Sequence, residues 1–393
     1  MAEVLATLAY ALRRKPLAAR HRPSGLAPVY LEGDIDDYLA RSAALVAAGR
    51  ADLPAAGPER ERVVAGNSPF LLPAAGTAGG GRTLLMLHGL TDSPFCTRDL
   101  GAFFASRGFR VLSLLLPGHG TRPGDLLGGH WRDWSRALQC AMERLAADGE
   151  GLYLFGFSLG AALALRQALT DARVRGLFLF SPAFQVPPAA ALACALQRAS
   201  RWLPQLRWLD VQPDEDPFKY ESMTANAICQ AVRLENAVRH LHGIRPVQVP
   251  LFVGASADDA TVSPAGALAL FDGAATAHKR MLYYSRRPLP VPAGVKRVDA
   301  VLPQQHIISA AHTALINAPD NPHYGIDGDY RFCTHYYRTD AARYARCKTG
   351  NEDALGEIGL DGREYPVVRR LTYNPWYDDL LDELDRFIGA LPS

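Results

Sequence analysis

The sequence predicts an α/β fold with a mostly parallel central sheet flanked by helices. Three observations predict it. From residue 81 onward, apolar runs of strand length alternate with segments of helical periodicity. The apolar runs are continuous rather than alternating, as in strands covered on both faces. One junction, Tyr-Leu-Phe-Gly-Phe-Ser-Leu-Gly at 153–160, joins such a strand to a helix of small residues through a G-x-S-x-G turn. The chain has 393 residues, 48% hydrophobic and 21% charged, enough for one large core with insertions.

The elements follow in order. Asp34 to Ala48 reads as a helix, because Ile35, Tyr38, Leu39, Ala43 and Val46 recur at three- to four-residue spacing. Ala74 to Gly81 reads as a turn before the core. Thr83–Leu87 is a buried strand, Phe95 to Ser106 a helix, and Arg110–Leu115 a strand ended by Pro117-Gly118-His119-Gly120. Trp131 to Ala147 is a helix, Leu152–Phe155 a strand, Leu159 to Leu169 a helix, and Gly176–Phe180 and Val249–Val253 further strands. Pro375 to Leu391 returns to a helical pattern and is expected to pack back on the sheet.

Residues 1–80 form an Ala- and Pro-rich, helical or irregular extension, and 81–393 the main domain. Two stretches interrupt that domain. Residues 184–246 carry helical segments with Trp202, Leu203, Leu206, Trp208 and Leu209, and read as a cap over the C-terminal ends of the strands or as a plain helical elaboration. Residues 317–372 are polar, rich in Tyr, Asp and Gly, and without periodicity.

A formal charge of +2 gives no reason to expect nucleic acid. No run approaches the ~20 apolar residues of a spanning helix. Val4, Leu5, Leu8, Ala9, Tyr10 and Leu12 form a stripe followed by Arg13, Arg14 and Lys15, which reads as a surface helix or as a weak contact with a membrane surface. It is a poor secretory signal, since the charges follow the apolar residues, so a cytoplasmic protein is expected. The chain has no C-x-x-C pair and no Cys/His cluster of zinc spacing, so no metal is expected. Cys333 and Cys347 either pair or stay free, while Cys96, Cys140, Cys194 and Cys229 read as core fillers. Neither a G-x-x-x-x-G-K-[ST] loop nor an H-E-x-x-H helix is present.

The G-x-S-x-G turn places Ser158 on a sharp strand-to-helix bend. A serine hydroxyl needs a base to take its proton and dipoles to hold an oxyanion. The expected chain order is serine, acid, histidine. The acid should lie in the loop after the strand Leu251–Val253, where Asp258 and Asp259 compete. Asp259 is preferred because it stands three residues before Val262, which would anchor the next turn. His312, just past an apolar run, is the candidate base, with His306 as runner-up. The oxyanion donors should be the backbone amides of Leu159 and of Leu90, the latter turned inward by Gly89. Phe157 and Leu90 are expected to line the substrate pocket, whereas His88 and His119 read as structural.

Four segments carry a resemblance: Leu-His-Gly-Leu-Thr-Asp-Ser-Pro at 87–94, Leu-Pro-Gly-His-Gly-Thr at 116–121, Gly-Phe-Ser-Leu-Gly at 156–160 and Ala-Asp-Asp-Ala-Thr-Val-Ser-Pro at 257–264. Over residues 80–393 the chain resembles the α/β-hydrolase superfamily, in its carboxylesterase and monoacylglycerol-lipase-like branch. Ala318 to Gly325 is similar to a bacterial subgroup. The resemblance implies the α/β-hydrolase fold, a Ser158–Asp259–His312 triad, an acyl-enzyme mechanism and no cofactor. The expected substrate is a small ester with a hydrophobic, short- or medium-chain acyl group. Thioester or amide cleavage by the same triad, or a binding protein on this scaffold, are the alternatives.

Overall fold

The computed structural model describes residues 17–75, 81–146, 151–185 and 188–391. The stripe at residues 4–12, residues 76–80 of the expected turn and Ala147 fall outside these.

Eight strands form the main sheet: β1 (Phe70–Leu72), β2 (Arg82–Leu87), β3 (Arg110–Leu114), β4 (Gly151–Phe157), β5 (Val174–Phe180), β8 (Leu251–Ser256), β9 (Lys279–Ser285) and β10 (Val295–Asp299). Between β5 and β8 lie two short strands, β6 (Trp208–Asp210) and β7 (Met223–Thr224). The sheet order is β1-β3-β2-β4-β5-β8-β9-β10. All neighbours are parallel except β1, which runs antiparallel to β3. The extension is therefore not separate from the main domain: its last residues supply an edge strand, too short to stand out in the sequence.

Alternation along each strand sorts the core into two chemistries. Leu85, Leu87, Leu112, Leu152, Leu154, Leu177, Leu179, Leu251 and Val253 fall on one face and pack under the helices Trp131–Ala146 and Leu159–Thr170. Tyr153, Phe155, Phe157, Phe178, Phe180 and Phe252 fall on the other, against the helices Arg98–Ser106 and Tyr377–Gly389. Both faces are covered, so every central strand reads as a continuous apolar run.

The segment between β5 and β8 folds over the C-terminal ends of the strands. Its helices Leu192–Ala199 and Ala225–Ile244 are joined by a Cys194–Cys229 disulfide. This corrects the reading of those two cysteines as core fillers: the two helices run side by side and bring the thiols together. The long helix is capped by the Thr224 hydroxyl, which accepts the Ala227 amide at 3.0 Å.

The stretch after His312 is not shapeless. It holds the short helices Thr334–Tyr337 and Ala341–Lys348, which the Cys333–Cys347 disulfide ties together. A parallel pair follows, β11 (Ala354–Gly356) with β12 (Val368–Arg370). Cys96 and Cys140 are free. Among the described residues, no helix is long and apolar enough to cross a membrane.

Candidate active site

Ser158 sits between β4 and the helix Leu159–Thr170 with φ +53° and ψ −112°. That strained conformation lifts the side chain clear of the sheet. Its neighbours permit the bend. A Cβ on Gly156 would run into the backbone of Ala161, and one on Gly160 into Leu87 O. The backbone is fixed on both sides: Ser158 N–H donates to Phe180 O at 2.9 Å, and Ser158 O accepts the Ala183 amide at 3.2 Å.

His312 Nε2 lies 3.1 Å from Ser158 Oγ, and His312 Nδ1 lies 2.7 Å from Asp259 Oδ2. Both the imidazole and the carboxylate are buried, with side chains 5% and 2% exposed. With Nδ1–H donating to the carboxylate, the Nε2 lone pair faces the serine hydroxyl. The other oxygen of Asp259, Oδ1, accepts the amides of Thr261 at 2.7 Å and Val262 at 2.9 Å. Burial alone would raise this carboxyl, but the charge and hydrogen bond of His312 and the two amides outweigh it and hold it below its ordinary value. It is therefore an anion that orients the ring.

The competing residues lie elsewhere. Asp258 accepts Arg286 Nε at 2.9 Å and the Arg286 amide at 3.1 Å. His306 is exposed, in a left-handed turn with φ +54°. His88 and His119 are buried. His88 Nδ1 donates to Gly89 O at 2.9 Å while Nε2 accepts the Leu116 amide at 3.1 Å, which locks a neutral tautomer. Burial lowers its pKa to about 4, despite the Gly89 bond. Burial also lowers His119, to about 3.

Leu90, Leu159, Ser158 and His312 share one cavity of about 230 Å³. Leu159 opens its helix, so its amide has no intrahelical acceptor. The positive φ in the upstream loop sits at Thr91 (φ +71°), not at Gly89. What Gly89 supplies is clearance, because a Cβ there would strike Asp92 Oδ2 and crowd the Phe157 ring. The cap holds this loop from above. Tyr220 N–H donates to Thr91 O at 2.9 Å, and Lys219 pairs with Asp92.

Phe157 is a correction. It does not line the cavity. It continues the phase of Tyr153 and Phe155, so its side chain falls on the aromatic face of the sheet. There its ring packs against that of His312, with centroids 5.2 Å apart. The cavity wall is built instead from Ala190, Met223, Ile228, Ala231 and Val232 of the cap segment, with Phe332, Thr334 and Arg370 opposite. Sequence reasoning missed Glu221, Lys219 and Arg370, which also line it. Burial pushes the Glu221 carboxyl up to about 7, although the Tyr330 hydroxyl donates to it at 2.6 Å.

A family model described as serine aminopeptidase, S33, matches residues 81–287, more than half of the chain. The chain belongs to this family. As a serine aminopeptidase S33 member it is a hydrolase with the α/β-hydrolase fold, and it is similar to named lipases and esterases. It is 24% identical over 224 residues to a thermostable monoacylglycerol lipase of Bacillus sp. (strain H-257), covering 57% of this chain and 87% of that one. It is 31% identical over 93 residues to a carboxylesterase of Bacillus subtilis (strain 168), covering 23% of this chain and 38% of that one. Among solved structures, the monoacylglycerol lipase of Paleococcus ferrophilus is similar over 55% of this chain and 88% of its own, at 20% identity and a TM-score of 0.45. The family match ends at residue 287, so His312 and the stretch after it lie beyond it.

Proposed function

We propose that this chain is a serine esterase that cleaves carboxylic esters with a hydrophobic, short- or medium-chain acyl group through an acyl-enzyme. The observation that carries the reading is the hydrogen-bonded run Ser158–His312–Asp259 opening into a cavity with an apolar wall. Ser158 Oγ attacks the ester carbonyl carbon while His312 Nε2 takes the hydroxyl proton. The carbonyl oxygen becomes an oxyanion facing the Leu90 and Leu159 amides. The C–O bond breaks as His312 passes its proton to the departing alkoxide, leaving an acyl group on Ser158. Water then repeats the sequence and releases the acid. No step needs a metal or cofactor.

Two features support esters over aminopeptidase substrates. A peptidase of that kind must hold a substrate ammonium, and the carboxyls on the cavity wall are poorly suited to it. Asp92 is already paired with Lys219, and the Glu221 carboxylate already accepts the Tyr330 hydroxyl at 2.6 Å. The cavity of about 230 Å³ supports a short or medium acyl chain over a long one. The two disulfides fit an oxidising compartment better than the cytoplasm suggested by the N-terminal sequence.

The test is Ser158→Ala with p-nitrophenyl acyl esters and a fluorophosphonate probe. Expected are loss of at least about 10⁴-fold in kcat, no labelling, and an unchanged melting curve. Wild-type rates in the folded variant would defeat the proposal.

A further inference from the structure

Two charged side chains of the stretch after His312 are buried beside the site: Glu357, 0% exposed, and Arg370, 6% exposed. Glu357 Oε2 accepts the main-chain N–H of His312 at 2.8 Å and Arg370 Nη2 at 3.0 Å. Its Oε1 faces Arg370 Nε at 2.7 Å and accepts the Ile358 amide at 2.8 Å. The same Nη2 of Arg370 donates to Thr261 Oγ1 at 2.6 Å. Thr261 in turn gives its amide to Asp259 Oδ1. A closed circuit results. One half is the direct Asp259–His312 bond. The other runs from Asp259 through Thr261, Arg370 and Glu357 back to the His312 amide.

A buried ion pair is a weak source of stability, because desolvating both ions offsets their attraction. What it gives is geometry. The acid loop follows β8 and the base loop follows β10, and apart from the Asp259–His312 bond they are joined by Ser256 Oγ donating to Ala310 O at 2.7 Å, at the base of the two loops. Arg370 has a rigid fork that can hold a hydroxyl on one loop and, through a carboxylate, an amide on the other. A displacement of about 1 Å in such a constellation can cost on the order of 100-fold in rate. The Arg370 guanidinium also lies over the Phe332 ring, 5.1 Å from its centroid, which limits its own freedom.

We propose that Glu357 and Arg370 form a positioning pair that sets the spacing of the Asp259 and His312 loops and so the proton path to Ser158. The proposal rests on the esterase reading above. It makes the insertion part of the machinery rather than an appendage.

The experiment compares wild type, Glu357→Gln/Arg370→Met and Thr261→Val in the full chain. The double variant removes both charges and leaves no unpaired ion. Thr261→Val cuts the circuit at an exposed residue, where folding is not at stake. Fluorophosphonate titration counts competent sites, and kcat and KM are then taken per titrated site, alongside the melting temperature. Expected are a fall in kcat of about 10- to 100-fold for the double variant and about 3- to 10-fold for Thr261→Val, with KM within about threefold. A purely structural role would lower the fraction of titrated sites and leave kcat per site unchanged. Per-site kcat within twofold of wild type in both variants overturns the proposal. Wild type that does not label at Ser158 is a different failure: it removes the esterase reading, and the positioning role with it.

Discussion

The cavity has two walls of opposite character. On the cap side, Ala190, Met223, Ile228, Ala231 and Val232 form an apolar patch, beside the polar Lys219 and Glu221 of the same segment. On the other side, Phe332, Thr334 and Arg370 mix polar with aromatic groups, and Arg370 reaches behind the wall to Thr261 and Glu357, beside Asp259 and His312. Each wall is stapled just behind its surface. Cys229 follows Ile228 in the cap, and Cys333 stands between Phe332 and Thr334. The difference teaches that the apolar patch and the Glu357–Arg370 pair belong to separate segments, while the cap also reaches the Leu90 loop through Lys219 and Tyr220. In the proposed esterase, changes at the apolar patch would alter which acyl groups fit, whereas changes at Glu357 or Arg370 would reach the loops of Asp259 and His312.

The largest test separates the neighbouring acids at the foot of the polar wall. Asp259→Asn should lower kcat about 10⁴-fold by releasing the imidazole from its working tautomer. Asp258→Asn, which removes only a contact with Arg286, should leave kcat within about twofold; equal losses would merge the two roles. Next comes the apolar wall. Val232→Phe should raise KM for octanoyl esters by about tenfold or more while leaving kcat for acetyl esters near wild type. A matching fall in acetyl kcat would show that the walls are not separable.

The disulfides sharpen the contrast further. Cys333→Ser/Cys347→Ser should lower kcat, and Cys194→Ser/Cys229→Ser should broaden chain-length tolerance with kcat kept. In the loop-entropy account the lost stabilisation is about 3 kcal/mol for the shorter loop and about 4 kcal/mol for the longer; thermal melts with and without reductant measure it. The last expected effect lies outside both walls. His88 is buried neutral with its pKa lowered to about 4, so the unfolded chain binds a proton that the fold refuses. Its contribution is intact above about pH 6.5 and falls as the pH drops towards 4. Asp259, lowered instead as an anion, loses its contribution only below the ordinary carboxylate range. Denaturant midpoints from pH 7 to 4 should fall in wild type and fall less in His88→Gln.

What was legible in the sequence was local. β4, the Ser158 turn and the helix after it announce themselves in one uninterrupted string, and the strands beside it are continuous apolar runs. The candidate acid and base were chosen by chain order and by the Asp259-to-Val262 spacing, and the structure places His312 against Ser158 and Asp259 against His312. β9 and β10 were missed because Lys279, Arg280, Lys296 and Arg297 break their apolar pattern at the sheet edge. The direction of Phe157 needed the phase of the whole strand, not its neighbour in the motif. Glu357 and Arg370 were invisible for a deeper reason. A lone charge in an aperiodic segment is ordinarily solvated, and only a partner brought near by the fold makes its burial tolerable. The pairing of Cys194 with Cys229 likewise follows from helix packing, not from spacing.

A chain leaves the ribosome N-terminus first. Ser158, Asp259 and His312 all emerge before Glu357 and Arg370. Until those last two arrive, the His312 amide lacks the carboxylate that anchors its loop. A fragment ending short of residue 370 would carry Ser158, Asp259 and His312 yet lack both that anchor and the helix Tyr377–Gly389 that covers one face of the sheet.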